Sequence, residues 1–431
     1  MKQELPPPLA RTILALGRTG EKLGLRVFLV GGFVRDLRLH RENLDIDIAI
    51  EGREGAARLA LEYSRQEKIL VQVYPRFGTA TLHLPGNHRI DLATTRKETY
   101  PAPAALPQVR PGNIHEDLYR RDFTINSLAL CLHPSEFGKM LDPFGGWPDL
   151  QHRRLRVLHP RSFSDDPTRI FRALRFEQRL GFRLVPDNLL LIRKALADNA
   201  ISRLSGTRLL AEIKFSLSLP ETAPLLSRMS KLRVLAGIDP ALKFGPETAR
   251  VTRRLQENLR WFETAVGAGN SPGFEPWVAN LIALTANLPE KKLDHFVLRL
   301  APSAKVQKKI VWNRAQGKIV RERLETNARI EKSLIFPLLH QFPPEAILFL
   351  EAQTQKDPAR KALRLFLSGR ASAKPETDGH DLKRLGIPPG PVYREILVRL
   401  RDLKLNGETR TKKQELEWVR EHYGPRLRNR H

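Results

Sequence analysis

The 431-residue chain is poor in cysteine, in acidic side chains and in long apolar runs. Its single cysteine, Cys131, has no partner for an intramolecular disulfide. A disulfide scaffold is therefore excluded, and the composition suits a reducing compartment. No apolar stretch approaches the roughly 18 residues that a membrane helix needs. Met1 to Ala10 carries Pro6-Pro7-Pro8 and lacks the apolar centre of a secretory signal. The expectation is a cytoplasmic protein with no membrane partner. Acidic residues number 47 against 73 Lys and Arg, a net charge of +26. That excess points to a polyanionic partner, nucleic acid first. Apolar residues make up 41%, which excludes disorder or a collagen-like repeat for the whole chain. At roughly 100–200 residues per domain, two to four domains are expected.

The first 150 residues alternate between helical and extended patterns. Leu9, Ile13 and Leu16 follow helical spacing. Val27 to Val30 is a short apolar run stopped by Gly31-Gly32, and Ile46, Ile48 and Ile50 alternate with Asp45, Asp47 and Ala49. Both read as strands. Glu54 to Gln66 reads as a helix; short strands are expected at 72–74, 79–84 and 89–93. Pro101, Pro103, Pro107 and Pro111 then exclude a helix or a central strand. That stretch is either a mobile functional loop or an ordered extended segment. Beyond residue 150 helical patterns dominate. Ser303 to Glu325 holds Lys305, Lys308, Lys309, Arg314, Lys318, Arg321 and Arg323 against Glu322 and Glu325. Such a helix suits a phosphate track, and equally a solvated face.

Asp45 and Asp47, two apart on a strand, project to one face. Like charges so close call for a cation between them, and hard oxygen ligands suit Mg²⁺. Asp91 opens a segment of another predicted strand and would join them if the two strands are neighbours. Gly31-Gly32-Phe33-Val34-Arg35-Asp36 lies between a strand and a helix. Its glycines allow close backbone approach to an anion, and Arg35 would add a charged contact. Arg120-Arg121-Asp122-Phe123-Thr124-Ile125-Asn126 offers guanidiniums, a carboxylate and an amide for phosphate and ribose. Asp165-Asp166-Pro167-Thr168-Arg169 is an ordinary helix start. It also sets Asp166 and Arg169 on one face, an acceptor beside a fork of donors that suits the edge of a base.

Taken in order, these blocks resemble the class II tRNA nucleotidyltransferase and bacterial poly(A) polymerase family. Asp142-Pro143-Phe144-Gly145-Gly146 and Ser205-Gly206-Thr207-Arg208 to Glu212 continue the match, which covers about residues 25 to 215 closely. The segment Gly379-His380-Asp381-Leu382 to Pro391 is similar to the tail of such enzymes, and His380-Asp381 is read as structural. The resemblance implies an α+β fold: a polymerase-β-like palm at 1–150, then an all-α neck at 151–220 and an all-α body and tail at 221–431. It implies addition of C and/or A of the terminal CCA to tRNA from CTP and/or ATP, with release of pyrophosphate. Asp45 and Asp47 would hold two Mg²⁺ ions in a two-metal mechanism, with Asp91 as third catalytic carboxylate. Gly31, Gly32 and Arg35 would cradle the triphosphate; Arg121 and Asp122 would meet the nucleotide's sugar side, and Asn126 is a further nucleotide-binding residue. Asp166 and Arg169 would pair with the base, supported by Asp165, which stands where many relatives have Glu. Lys305, Lys308, Lys309, Arg314, Lys318 and Arg321 are expected to bind RNA. A poly(A) polymerase remains the same-chemistry alternative, and a noncatalytic tRNA-binding protein the alternative of another class.

Overall fold

The computed structural model describes residues 6–267, 273–326, 338–339, 341–369, 375–406 and 408–423. The chain divides into two compact units, one of Met1–Glu212 with Leu232–Ile238, the other of Ile213–Lys231 with Asp239–His431. The expected palm and most of the expected neck thus fall in one unit.

The first unit is built on a seven-stranded sheet. Its strands in chain order are β1 (Arg26–Val30), β2 (Ile46–Glu51), β3 (Leu70–Tyr74), β4 (Thr79–Leu84), β5 (His88–Thr94), β8 (Ala129–Cys131) and β9 (Met140–Leu141). Their spatial order is β3-β4-β5-β2-β1-β8-β9. β2 and β5 are parallel neighbours, with Asp47 opposite Asp91; β1 is antiparallel to β2, with Val30 opposite Asp47. Strand alternation does the rest. Ile46, Ile48 and Ile50 are buried on the face covered by α1 (Pro7–Lys22) and α3 (Gly55–Glu67). Each isoleucine so buried contributes about 2 kcal/mol. The opposite face carries Asp47 and Asp91; Phe28, Val30 and Ala49 there pack on Ile114 and Leu118 of α4 (Ile114–Tyr119).

The proline-rich stretch is an ordered extended segment in part. β7 (Gln108–Pro111) pairs with β6 (Arg96–Thr99) in a two-stranded ribbon outside the main sheet. Ala104 donates its N–H to Ser164 O (3.1 Å), so the stretch is anchored midway. Gly146 marks a close approach: a Cβ there would lie 2.2 Å from Thr124 O. Asp142 accepts from the N–H groups of Gly146 and Trp147 (2.6 and 2.8 Å), capping a short helix over Gly146–Gln151 (α5). After the four-residue α6 (Ser162–Asp165), α7 (Thr168–Leu180) buries Ile170, Phe171 and Leu174. Its arginines lie on other faces.

The second unit is helical. Helices α13 (Pro276–Thr285) and α16 (Pro344–Gln353) are buried almost all round, as helices at a core's centre are. Leu382, Ile387, Ile396, Leu400, Leu403 and Val419 form a separate cluster near the C-terminus. There Asp381 completes a capping box with Asp378 and pairs with Lys412 (2.7 Å) and Arg384 (2.5 Å). Those partners hold its carboxyl down at about 2, consistent with a structural His380-Asp381.

Candidate active site

The strand register brings the expected carboxylates to one cleft of about 340 Å³, lined by Asp47, Asp91, Thr79, Thr81, Asp117, Arg120 and Arg121 among others. Asp45 stands just before β2, exposed. Thr81 Oγ1 donates to Asp91 Oδ1 (2.7 Å), which fixes that carboxylate. Asp47 is pushed up to about 6 from 3.8, first by burial, then by the Asp45 and Asp91 charges, against Arg121 and Arg89. The negative charge here is therefore under-compensated, and the oxygen donor set suits a hard divalent cation. Among the described residues no group of three or more His, Cys, Asp or Glu is already closed around a metal position. A guanidinium lies between two of the carboxylates instead: Arg89 Nη2 is 3.5 Å from Asp91 Oδ2 and 3.7 Å from Asp45 Oδ1.

The turn after β1 meets the cleft. Gly31 has φ +74°, and a Cβ there would lie 2.6 Å from Arg121 Nη1 and 3.8 Å from Asp47 Oδ2. Glycine at this point admits the Arg121 guanidinium over the backbone beside the carboxylates. Arg121 donates to Asp117 Oδ2 (3.0 Å), while its buried Nε has no hydrogen-bond partner among the described residues. A cation held by one carboxylate with a donor to spare is a natural seat for a phosphate.

Arg35 departs from its expected role. It is 3% exposed, and its three nitrogens donate to Asp36 (2.8 and 2.7 Å) and to Asn126 Oδ1 (2.6 Å). Buried guanidiniums need such complete pairing, and each Arg35 nitrogen is already engaged rather than left for an anion. Asn126 is spent as well: its Nδ2 donates to Asp122 Oδ1 (2.8 Å). Asp122 is 8% exposed, and its other oxygen accepts from Arg172 (2.8 and 2.7 Å). Burial opposes its ionisation, yet the Arg172 charge and the Asn126 bond hold its carboxyl below the ordinary range. Asp122 and Asn126 thus position the Arg121 segment from within.

Asp166 and Arg169 do come together. Asp166 Oδ1 accepts from Thr168 N and Oγ1 (3.1 and 2.6 Å) and from Arg208 Nη2 (2.7 Å). Arg169, 4% exposed, donates from Nη1 to Ser162 Oγ (2.6 Å) and from Nη2 to Arg120 O (2.7 Å). Those bonds leave Asp166 Oδ2 and Arg169 Nε 4.0 Å apart, one acceptor beside one donor. Asp165 is buried and accepts from Arg161 (3.0 Å), beside this pair. Tyr100 stands close enough for both charges to act on its phenol, which burial pushes up to about 12.

On helix α15 (Ala304–Thr326), Lys305, Lys308 and Lys318 are exposed and Arg321 is half-buried. The Arg314 side chain lies outside the described residues. Lys309 is a correction to the expected RNA face: its Nζ pairs with the fully buried Glu345 (2.5 Å) and donates to Gly273 O (2.7 Å). An unpaired carboxylate inside the unit would be costly, and Lys309 neutralises it.

Sequence reasoning passed over Asp117, Thr81, Arg89, Arg172 and, as a side chain with a role of its own, Arg208. Asp117 was findable, because it stands three and four residues before Arg120 and Arg121 on a helix and pairs with both. Thr81 and Arg208 act across long sequence gaps and left no local signal.

The sequence pattern of the poly A polymerase head domain matches residues 27–156. The A-adding tRNA nucleotidyltransferase of Geobacter sulfurreducens is 38% identical over 420 residues, which is 96% of this chain but 47% of that protein. This chain therefore spans about half the length of that relative. The A-adding tRNA nucleotidyltransferase of Halalkalibacterium halodurans is 32% identical over 419 residues, covering 95% of this chain and 91% of that protein. A solved CCA-adding enzyme in an apo form superposes with a TM-score of 0.82 at 32% identity, over 97% of this chain and 96% of that one.

Proposed function

Because the chain belongs to the tRNA nucleotidyltransferase family, we propose that it transfers AMP from ATP to the 3′ hydroxyl of a tRNA, releasing pyrophosphate. The observation that carries this reading is the Asp166–Arg169 pair, held with one acceptor and one donor 4.0 Å apart in the unit that contains the carboxylate cleft. Adenine offers the complement, an amino donor beside a ring acceptor. Uracil or guanine sets a carbonyl against Asp166 and leaves a polar group mispaired, at about 1–3 kcal/mol. Cytosine shares adenine's pattern, so the pair alone selects a class of base. The finer choice of A rests on the names of the two curated relatives. Addition of the whole CCA is the second reading, favoured by the CCA-adding enzyme of similar structure.

Enzymes of this family generally use a divalent metal ion; we assign Mg²⁺ here, with Asp45, Asp47 and Asp91 as its holders. Bound there, it supplies positive charge to the attacking oxygen and to the leaving pyrophosphate. The chain's residues do the rest. Arg121 and the Gly31 backbone seat the triphosphate, and Asp117 keeps Arg121 aimed. Thr81 keeps Asp91 turned toward the cleft. Arg208 and Thr168 hold one oxygen of Asp166 so that the other meets the base. Lys305, Lys308, Lys318 and Arg321 offer positive charge to the tRNA backbone, a term that falls steeply with salt. The setting proposed is the cytoplasm; no described helix is long and apolar enough to cross a membrane.

The test is incubation of the pure protein with tRNAs ending before the first C, after C and after CC, with each labelled nucleoside triphosphate. A on the CC-ended tRNA alone is expected. C incorporation on the shorter tRNAs establishes the second reading, and no incorporation on any tRNA refutes both.

A further inference from the structure

Arg89 has no part in the reaction as derived so far, yet it lies inside the carboxylate cluster. It sits two residues before Asp91 on β5, so both side chains leave the same face of the sheet. Its Nη2 is 3.5 Å from Asp91 Oδ2 and 3.7 Å from Asp45 Oδ1. Both are ion-pair distances, longer than hydrogen bonds. Its side chain is 63% exposed, as are 68% of Asp45's and 36% of Asp91's. Such a solvent-screened contact is weak. The guanidinium is thus placed between two carboxylates but weakly held. Asp91 is steadied from elsewhere, by Thr81 on its other oxygen (2.7 Å), and does not depend on Arg89 for its orientation.

A divalent ion and a guanidinium cannot share these oxygens. We propose that Arg89 is a displaceable counter-cation of the Asp45–Asp91 pair, which an incoming divalent ion must expel. This rests on the metal reading above. It gives the site a property the carboxylates alone would lack. Whenever these carboxylates stand without a divalent ion, their negative charge would be met by the chain's own cation. The price is looser metal binding, and that is measurable without any transfer reaction.

The experiment counts Mn²⁺ bound to the full chain without nucleotide or tRNA, from the electron paramagnetic resonance signal of free Mn²⁺. Arg89→Gln is expected to tighten binding about fivefold, the effect of removing one screened charge near a doubly charged ion. Arg89→Glu should tighten it further, and Arg89→Lys should stay near wild type. The gain from Arg89→Gln should shrink when Asp45→Asn, which removes one of the two carboxylates that Arg89 faces, is added. Unchanged or weaker binding in both Arg89→Gln and Arg89→Glu overturns the proposal, as does a gain undiminished by Asp45→Asn. If no form binds Mn²⁺ at all, the metal reading falls with it. If wild type binds and the order of affinities is absent, only the role of Arg89 falls. Arg89 is exposed and outside the apolar core, and Arg89→Lys controls for any loss of fold.

Discussion

Asp47→Asn should abolish transfer and, without metal, make the first unit more stable. Burial and the neighbouring Asp45 and Asp91 push the Asp47 carboxyl up to about 6 from 3.8. The fold disfavours the ionised form, so Asp47 costs stability only where it is ionised. The cost is absent below pH 3.8, grows between 3.8 and about 6, and is complete above. At neutral pH a displacement of that size corresponds to about 3 kcal/mol. Asparagine removes the charge but still buries a polar amide, which returns about 1 kcal/mol of cost. The net gain is about 2 kcal/mol, several degrees in melting temperature for a unit of this size. The assay is calorimetric unfolding of wild type and variant in EDTA at pH 4 and pH 7.5. The melting difference should open between the two pH values in favour of the variant, and shrink when Mg²⁺ is added to wild type. A variant less stable than wild type at pH 7.5 in EDTA refutes the claim that this cleft carries uncompensated negative charge.

Gly31→Ala places a Cβ 2.6 Å from Arg121 Nη1 at a φ of +74°; strain of about 1–2 kcal/mol should raise the KM for ATP about tenfold. A KM equal to wild type would remove Arg121 and this turn from the triphosphate site. Lys309→Ala leaves Glu345 buried without its partner, and should cost about 3–5 kcal/mol in unfolding experiments without changing the salt dependence of tRNA binding. The double variant Lys305→Ala/Lys308→Ala should do the reverse, lowering the salt slope by about 2 at unchanged stability; equal behaviour of the two variants would undo the division of this helix into inner and outer faces. Arg208→Ala frees Asp166 Oδ1 and should relax the preference for A and C over U and G, read from incorporation of all four nucleotides. Unchanged selectivity in a folded variant would show that Asp166 needs no holder.

The strands of the palm were legible because burial imposes a period of two on them. Ile46, Ile48 and Ile50 point one way, Asp45 and Asp47 the other, and register then decides the site: Asp91 joins because β5 lies parallel to β2. No local pattern announces that pairing, since it is set by the order of strands across the sheet. The ribbon of β6 and β7 was only half legible. Proline forbids a central strand but tolerates a two-stranded edge, which is where Pro111 ends up. Lys309 shows the other kind of limit. Counting charges on α15 made it one cation among seven. Spacing places it three residues from Val306 and next to Ile310, both buried, so the helical period already set it against the apolar stripe. The buried carboxylate that it meets there comes from Glu345, thirty-six positions away.

The arginines of α7 explain why blocks that look like separate ligand motifs behave as one structure. Arg169 donates to Ser162 and to the carbonyl of Arg120. Arg172 binds Asp122. Arg175 pairs with Glu212 (2.6 Å). Three arginines spaced three residues apart on one helix thus reach two distant segments, 120–126 and 205–212, each of which carried a motif in the sequence. A guanidinium suits this work because its fork satisfies two or three acceptors at once and cannot lose its charge. The consequence is a division of labour within the positive excess. Arg35, Arg169, Arg172 and Arg175 are consumed inside the first unit, balancing carboxylates and carbonyls that the fold has buried. Exposed lysines such as Lys305, Lys308 and Lys318 carry charge that solvent and a polyanion can reach. Net charge counts both kinds alike, but only the second responds to salt. The salt dependence of RNA binding should therefore measure a small part of the +26, while the buried arginines hold the Asp122 segment and the Asp166–Arg169 pair in fixed geometry.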